Sequence, residues 1–286
     1  MSGKQRTVRL ARRPRAGRGV YQSPPPGEGD WGAIARIYDL EHPACRGAEL
    51  SFWHQSAGAA GGDVLELAAG SGRVAIALAR KGHRVTGLEL ATGMLERAAA
   101  RTSRLPPETA ARLDWVQGDM SAFDLPGRRF GLIFVAYNSF WLLDSEAARL
   151  GGLAAAARHL APAGRLVLDL FPPNADDRRD DTGLVQELPM SRHGRILLRV
   201  KDYTYEAQSA IATSDVRYFS AQAPPPAPAD LIARFRYRLR LADPDAVQAL
   251  LERAGYAVEE TYGDYRREPL LPDSPRAIFV CRRATT

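Results

Sequence analysis

The segment that most constrains the fold is an apolar run that leads directly into a glycine-containing turn. It reads VLELAAGSGR over residues 64–73. An apolar run of this length that ends at glycine is typical of a buried strand, and a helix is expected to start after the second glycine. Strand, tight turn and helix in this order form the first half of a βαβ unit, which predicts a parallel sheet covered by helices.

The alternation of strand and helix patterns continues over residues 63–170. The predicted strands are 63–67, 84–89, 113–117, 130–136 and 164–170. The predicted helices lie near 72–81, 92–103 and 145–160. Residues 131–136 are continuously apolar, as expected for a strand that is covered by helices on both faces. The pattern therefore predicts an α/β fold with a Rossmann-like, mostly parallel sheet.

The pattern changes to period 2 after residue 171, for example over 195–200 and 233–239, which predicts an antiparallel β insertion after the fifth strand. A helix at 243–255 and strands at 256–262 and 276–282 are expected to complete the main sheet. Two helices, near 31–40 and 47–56, precede the first strand. The predicted regions are a basic, Pro/Gly-rich disordered tail at 1–30, a core with two N-terminal helices at 31–182, the insertion at 183–241 and a C-terminal helix and hairpin at 242–286.

The basic charge of the chain is concentrated near its start. The first 20 residues contain seven Lys or Arg and no acid, whereas the remainder has 32 basic and 33 acidic residues. The body therefore has no charge excess that would attract nucleic acid, and a nucleic-acid partner is not expected. No apolar run reaches the roughly 20 residues of a membrane span. Cys45 and Cys281 lie far apart in sequence, so we expect no disulfide framework and a cytoplasmic location.

Acidic residues stand at the ends of three successive predicted strands. Glu66 could accept a hydrogen bond from a ligand ammonium group. Glu89 lies 17 residues beyond Gly72, near the spacing of about 20 that is usual for an acid that binds ribose hydroxyls. Asp119 could accept from an adenine amino group. This spacing suits a ligand that carries both a ribose and an adenine.

Other interpretations of the same residues remain open at this stage. Residues 70–75 also match the dinucleotide pattern G-x-G-x-x-A. A pyrophosphate would gain nothing from the Glu66 carboxylate, and a dinucleotide site does not need an acid at the third strand end. Each acid could instead cap a helix or pair locally. Met94 and Met120 could pack against an adenine ring or simply fill the core.

Residues 64–72, 85–95 and 117–120 resemble the first, second-strand and adenine-contacting motifs of the class I S-adenosylmethionine-dependent methyltransferases. The resemblance covers about 31–170 well and 243–282 moderately. It implies a seven-stranded sheet whose last strand is antiparallel, and S-adenosyl-L-methionine as the cofactor. Ala68 replaces the usual first glycine, which is a mild change unless the position needs a positive φ, and Glu89 replaces the more frequent aspartate. The implied cofactor-binding residues are Tyr38, Glu66, Ala68, Gly70, Gly72, Arg73, Glu89, Leu90, Met94, Asp119, Met120 and Tyr137.

Methyl transfer from a sulfonium is an in-line displacement, in which alignment can supply ~7–11 kcal/mol of the barrier. A metal or a nucleophilic side chain is not obligatory, and no metal site is predicted. The acceptor should lie beyond the carboxyl ends of the strands, where the fourth strand is followed by residues 137–141, YNSFW. Phe140 and Trp141 could instead pack against a helix start. The candidate catalytic residues are Tyr38, His42, Tyr137 and Asn138.

Tyr38 resembles the lid tyrosine of small-molecule members, which covers the methionine end of the cofactor, and His42 is the nearest candidate base. These features predict a methyltransferase that acts on a small organic metabolite, with an amine nitrogen favoured over oxygen or carbon. The β insertion is also a candidate surface for the formation of a homodimer. The alternatives are another reaction of the same cofactor, such as an intramolecular cyclisation, a nucleic-acid methyltransferase that uses the basic tail, and a non-catalytic binding module or dehydrogenase.

Overall fold

The computed structural model describes residues 7–9, 31–42, 44–190, 195–220 and 230–284. The chain divides into two units, one formed by 1–43 and 174–239 and the other by 44–173 and 240–286. Of the tail predicted over 1–30, only the short strand β1 (Thr7–Arg9) is described, and the rest lies outside the described residues. The region boundaries at 30, 182 and 241 stay predictions.

The larger unit contains a seven-stranded sheet in the order β11-β12-β6-β5-β2-β3-β4. Its strands are β2 (Val64–Leu67), β3 (Val85–Glu89), β4 (Leu113–Gln117), β5 (Phe130–Val135), β6 (Leu160–Leu170), β11 (Tyr256–Tyr262) and β12 (Ala277–Arg283). The strands from β6 to β4 in this order run parallel, whereas β12 pairs antiparallel with both β6 and β11. The predicted fold class is confirmed, including the reversed last strand.

The helices of this unit are α2 (Gly47–Ala60), α3 (Arg73–Arg80), α4 (Thr92–Thr102), α5 (Pro107–Ala110), α6 (Glu146–His159) and α7 (Pro244–Arg253). Strands β2 and β5 are buried at every position, because helices cover both faces of the central sheet. Leu65 on β2 pairs with Thr86 on β3 and with Ile133 on β5, which fixes the register of the three central strands. The carboxyl ends of β2, β3, β4 and β5 therefore meet at one edge of the sheet.

The bounds predicted for the central strands β2, β3, β4 and β5 agree with the structure within one or two residues. Strand β6 begins four residues before the predicted 164, because Leu160 already has extended backbone at the end of α6. The four-residue helix α5 and the strand β1 were not predicted, since neither carries a periodic apolar pattern. Among the described residues, no helix is both long and apolar enough to cross a membrane.

The smaller unit is a five-stranded antiparallel sheet with one helix, α1 (Trp31–Glu41). The sheet order is β1-β7-β8-β9-β10, with β7 (Asp181–Met190), β8 (Arg195–Glu206), β9 (Ile211–Ser220) and β10 (Leu231–Arg240). Ile34 of α1 packs in one core cluster with Leu197, Val216 and Phe235 from three strands. At the end of the helix, Glu41 Oε1 lies 2.8 Å from Arg199 Nε, so an ion pair joins α1 to β8.

Candidate functional site

The carboxyl edge of the seven-stranded sheet brings together the strand-end residues that the sequence singled out. Glu66 and Glu89 lie near the ends of the adjacent strands β2 and β3. Asp119 follows β4, and Tyr137 follows β5. Ligands of open α/β sheets bind at this edge, so the candidate site is built here.

The turn between β2 and α3 has left-handed backbone at three positions. Gly70 and Gly72 have φ of 56° and 78°, and Ala68 has φ of 54°. Position 68 therefore needs a positive φ, so alanine in place of glycine is not a mild change there. Left-handed backbone at a residue with a Cβ costs about 1–2 kcal/mol. A Cβ added at Gly72 would lie 2.5 Å from Cη2 of Trp115, so glycine is required there for space as well.

Glu89 ties the turn to the end of β3. Its Oε2 accepts from the backbone N–H of Gly70 at 2.8 Å, and its Oε1 accepts from the N–H of Ala91 at 2.9 Å. Burial raises the pKa of Glu89, and the hydrogen bonds from the two backbone amides oppose that shift. Two carboxylate oxygens offer about four acceptor positions, so Glu89 can hold the turn and still accept from the hydroxyl groups of a ribose.

Glu66 is almost fully buried and caps the next helix. Its Oε2 accepts from the N–H of Ala75, in the first turn of α3, at 2.8 Å. Burial raises the pKa of Glu66 from 4.5 to about 8, although Arg73 and the Ala75 amide act in the opposite direction. The local cap considered in the sequence analysis is therefore present, while the contact with a ligand ammonium group stays a prediction.

The predicted cofactor-binding residues at and after the ends of β3 and β4 differ widely in exposure. Leu90 is 50% exposed, whereas Met94 and Met120 are buried at 2% and 9%. The exposed carboxylate of Asp119 accepts from the N–H of Ser121 at 2.7 Å, an Asx turn that fixes its orientation. An apolar side chain left open beside Glu89 suits a flat ring, whereas the two methionines have the burial of core residues.

Arg73 is held by a partner that sequence reasoning missed. Its two terminal nitrogens donate to the two carboxylate oxygens of Glu49, on α2, at 2.8 and 2.6 Å. Its guanidinium also lies 4.9 Å from the ring centroid of Tyr137. Such a bidentate pair fixes the arginine geometrically, so the guanidinium of Arg73 is held in one position beside the turn while the Glu49 carboxylate balances its charge. The acid in the first turn of α2 was a visible signal, but nothing in the sequence joined it to Arg73.

The residues after β5 form a second left-handed segment, with φ of 54° at Tyr137 and 72° at Asn138. The Tyr137 side chain is 40% exposed, and Asn138 Oδ1 accepts from the N–H of Phe171 at 2.7 Å. Phe140 and Trp141 are only 2% and 1% exposed, so they pack in the core, as the alternative interpretation of this segment expects. Of the predicted acceptor segment, Tyr137 is thus the exposed aromatic residue.

Tyr38 and His42 belong to the smaller unit. Their ring centroids are 4.1 Å apart with the planes at 72°, and the N–H of His42 donates to the carbonyl of Tyr38 at 2.9 Å. Their roles as lid and base stay predictions. Among the described residues, no group of three or more His, Cys, Asp and Glu side chains has the arrangement of a metal site.

Residues 64–164 match a family model described as a methyltransferase domain. The comparison with curated protein sequences gave no match. Solved structures, in contrast, are similar over nearly the whole chain. The CcbJ methyltransferase from Streptomyces caelestis is 23% identical with a TM-score of 0.74, and the match covers 90% of this chain and 98% of that one.

Two further solved structures carry informative descriptions. CalS10 with bound SAM, an amino pentose methyltransferase from Micromonospora echinaspora, is 23% identical with a TM-score of 0.64, over 94% of this chain and 100% of that one. The glycopeptide N-methyltransferase MtfA complexed with S-adenosyl-L-homocysteine is 26% identical with a TM-score of 0.55, over 92% of this chain and 90% of that one. The structures at 23% identity establish a common fold.

Proposed function

We propose that this chain is a class I S-adenosylmethionine-dependent methyltransferase that methylates a small organic metabolite at an amine nitrogen. The observation that supports the site most directly is the double role of Glu89, which accepts from Gly70 and from Ala91 at the ends of two adjacent strands. The side chain next to it, Leu90, is left open to solvent. Together they provide a hydroxyl acceptor and an apolar surface for an adenosyl group.

The residues present fit the cofactor on physical grounds. At Gly70, no atom lies within 4 Å of the position of an added Cβ, so the turn has room for close approach of a ligand to its backbone. Glu89 would accept from the ribose hydroxyls, Asp119 from the adenine amino group and Glu66 from the ammonium group. S-adenosyl-L-methionine supplies an activated methyl group when it is bound. The protein has to orient the acceptor lone pair toward it and exclude water.

The sequence already favours an amine acceptor, and the descriptions of two structural neighbours support it. One is described as an amino pentose methyltransferase and the other as a glycopeptide N-methyltransferase. An amine nitrogen has its own lone pair once it is neutral, so a base is needed only to remove a proton. We propose Tyr137 and Asn138 for orienting the acceptor, Tyr38 for covering the methionine end of the cofactor and His42 for accepting the proton.

The decisive experiment identifies the product. The purified full chain is incubated with S-adenosyl-L-methionine that carries a trideuterated methyl group and with a fractionated mixture of small amines, alcohols and phenols. We expect mass spectrometry to find a labelled N-methyl product and an equal amount of S-adenosylhomocysteine. Labelled O-methyl or C-methyl products would change the acceptor class, and methylthioadenosine in place of S-adenosylhomocysteine would refute methyl transfer.

A second test uses Asp119→Ala, with Asp114→Ala as the matched control. Asp114 lies on β4, the strand that Asp119 follows, and makes an exposed ion pair with Arg128 at 2.7 Å. Asp119→Ala should weaken binding of S-adenosylhomocysteine, and Asp114→Ala should not.

A homodimer and a cytoplasmic location stay proposals. Light scattering after size exclusion tests the homodimer.

A further inference from the structure

Two consecutive non-glycine residues after β5 have a left-handed backbone conformation. Tyr137 and Asn138 have φ of 54° and 72°. Such residues persist only where their surroundings fix them, and they cluster at functional sites. The groups that hold this segment in place are therefore candidates for a role in the reaction.

The carboxyl end of β6 holds the segment through three hydrogen bonds. The N–H of Tyr137 donates to Oδ2 of Asp169 at 2.8 Å, and the N–H of Asn138 donates to the carbonyl of Asp169 at 2.9 Å. In the opposite direction, the N–H of Phe171 donates to Oδ1 of Asn138 at 2.7 Å. Asp169 thus binds both amides of the left-handed pair.

The Asp169 carboxylate is itself fully buried and shared among donors from distant parts of the chain. Arg276, just before β12, donates to Oδ1 through Nε at 2.7 Å and also through Nη2. The hydroxyl of Tyr265 donates to Oδ2 at 2.7 Å. Burial disfavours the charged guanidinium, but the carboxylate of Asp169 raises the pKa of Arg276 overall.

Arg276 also contacts the side chain that this backbone carries. Its guanidinium carbon lies 5.7 Å from the ring centroid of Tyr137, and that of Arg73 lies 4.9 Å from the same centroid. Guanidinium groups at these distances attract an aromatic ring. Asp169 and Arg276 therefore act on both the backbone and the ring of Tyr137.

We propose that Asp169 and Arg276 are positioning residues of the methyltransferase, which hold the Tyr137–Asn138 segment so that the exposed Tyr137 ring orients the acceptor. The proposal rests on the function proposed above. It assigns no contact with the reacting atoms to either residue. Tyr265 supports the pair by adding a neutral donor to the same carboxylate.

The test compares Arg276→Gln, Arg276→Lys and Tyr265→Phe with the wild-type full chain. Arg282→Gln is the matched control, because Arg282 lies on β12, the strand that begins directly after Arg276, and makes a more exposed ion pair with Glu259 at 3.1 Å. The kcat and KM are measured at saturating S-adenosyl-L-methionine, for the acceptor that the product experiment identifies. Calorimetry gives the affinity for S-adenosylhomocysteine, and hydrogen exchange reports the protection of residues 136–141.

Arg276→Gln should lower kcat/KM for the acceptor by about 10- to 100-fold, since a small misplacement of a positioning group has effects of this size. Its affinity for S-adenosylhomocysteine should change less than threefold, Arg276→Lys should recover part of the loss, and Arg282→Gln should behave as wild type. A folded Arg276→Gln with wild-type kcat/KM would overturn the proposal. So would an affinity loss for S-adenosylhomocysteine that equals the loss in kcat/KM.

Should Arg276→Gln fail to fold, Tyr265→Phe decides, because it removes one donor and leaves the ion pair intact. We expect it to lower kcat/KM by at least threefold and to speed exchange of the Tyr137 and Asn138 amides, and unchanged values of both would refute the proposal. A wild-type chain that forms no S-adenosylhomocysteine with any acceptor would reject the proposed function instead. The exchange measurement would then still show whether Asp169 holds the segment.

Discussion

Replacing Glu66 with glutamine tests the electrostatics beneath the glycine turn. The carboxyl group is 3% exposed and accepts from the N–H of Ala75, and burial raises its pKa from 4.5 to about 8. The folded protein therefore binds this proton more tightly than the unfolded chain does. The contribution to stability is full below pH 4.5 and is lost as the pH rises toward 8. A glutamine at this position keeps an oxygen acceptor for the helix amide and carries no titrating proton.

The size of the effect follows from the two pKa values. Between pH 5 and pH 8 the ionisation of Glu66 should remove about 3 to 4 kcal/mol from the free energy of unfolding of the wild type. The Glu66→Gln variant should not show this loss, while all other titrating groups contribute alike to both proteins. The difference in stability between variant and wild type should therefore shift by about 3 to 4 kcal/mol in favour of the variant over this range.

Urea unfolding at pH 5, 6, 7 and 8, followed by circular dichroism, measures the two curves, and equal slopes with denaturant confirm that the same transition is compared. Parallel pH dependence in the two proteins would refute the burial argument. A second readout concerns the ligand. If Glu66 accepts from the cofactor ammonium group, S-adenosylhomocysteine should bind the wild type more tightly at pH 7.5 than at pH 6 and release a proton, and Glu66→Gln should lose that dependence.

Three further substitutions test the turn and its neighbours, and a fourth, on α2, is their control. Glu89→Ala should weaken S-adenosylhomocysteine binding by about 1–3 kcal/mol, the cost of an unsatisfied buried partner, and unchanged affinity in calorimetry would show that the site is misassigned. Ala68→Gly should raise the free energy of unfolding in urea by about 1 kcal/mol because it relieves the left-handed backbone, and a loss of stability would contradict that conformation. Gly87→Ala should lower the free energy of unfolding by about 1–3 kcal/mol, since its Cβ would lie 2.6 Å from Cε3 of Trp115. Gly58→Ala, on the exposed face of α2, should instead raise the free energy of unfolding by up to about 1 kcal/mol in the same assay.

The fold was predictable from the sequence because the central strands are buried on both faces. Such strands must be apolar along their whole length, and the run at 130–135 shows this directly. The change to period 2 after residue 171 predicted the antiparallel insertion for the same kind of reason. Strand β1 carries no such pattern, so only its pairing with β7 shows that it exists.

The acids of the site were predictable, but their partners were not. Topology alone places Glu89 at the sheet edge, whereas its bond to Gly70 depends on the path of the turn. The Asp169–Arg276 pair joins residues 107 positions apart, and no local pattern links them. An acid inside the apolar run of β6 was the available signal, because an isolated buried carboxylate needs a partner. The positive φ of Ala68 left no signal beyond the missing glycine itself.

Strand β12 lies between β11 and β6, although it is formed by residues 277–283. A ribosome adds these residues after those of every other strand in the sheet. Until then the nascent polypeptide carries an open backbone edge along β6, and open edges of this kind recruit other chains. The sheet can therefore be completed only when this last strand is inserted between β11 and β6.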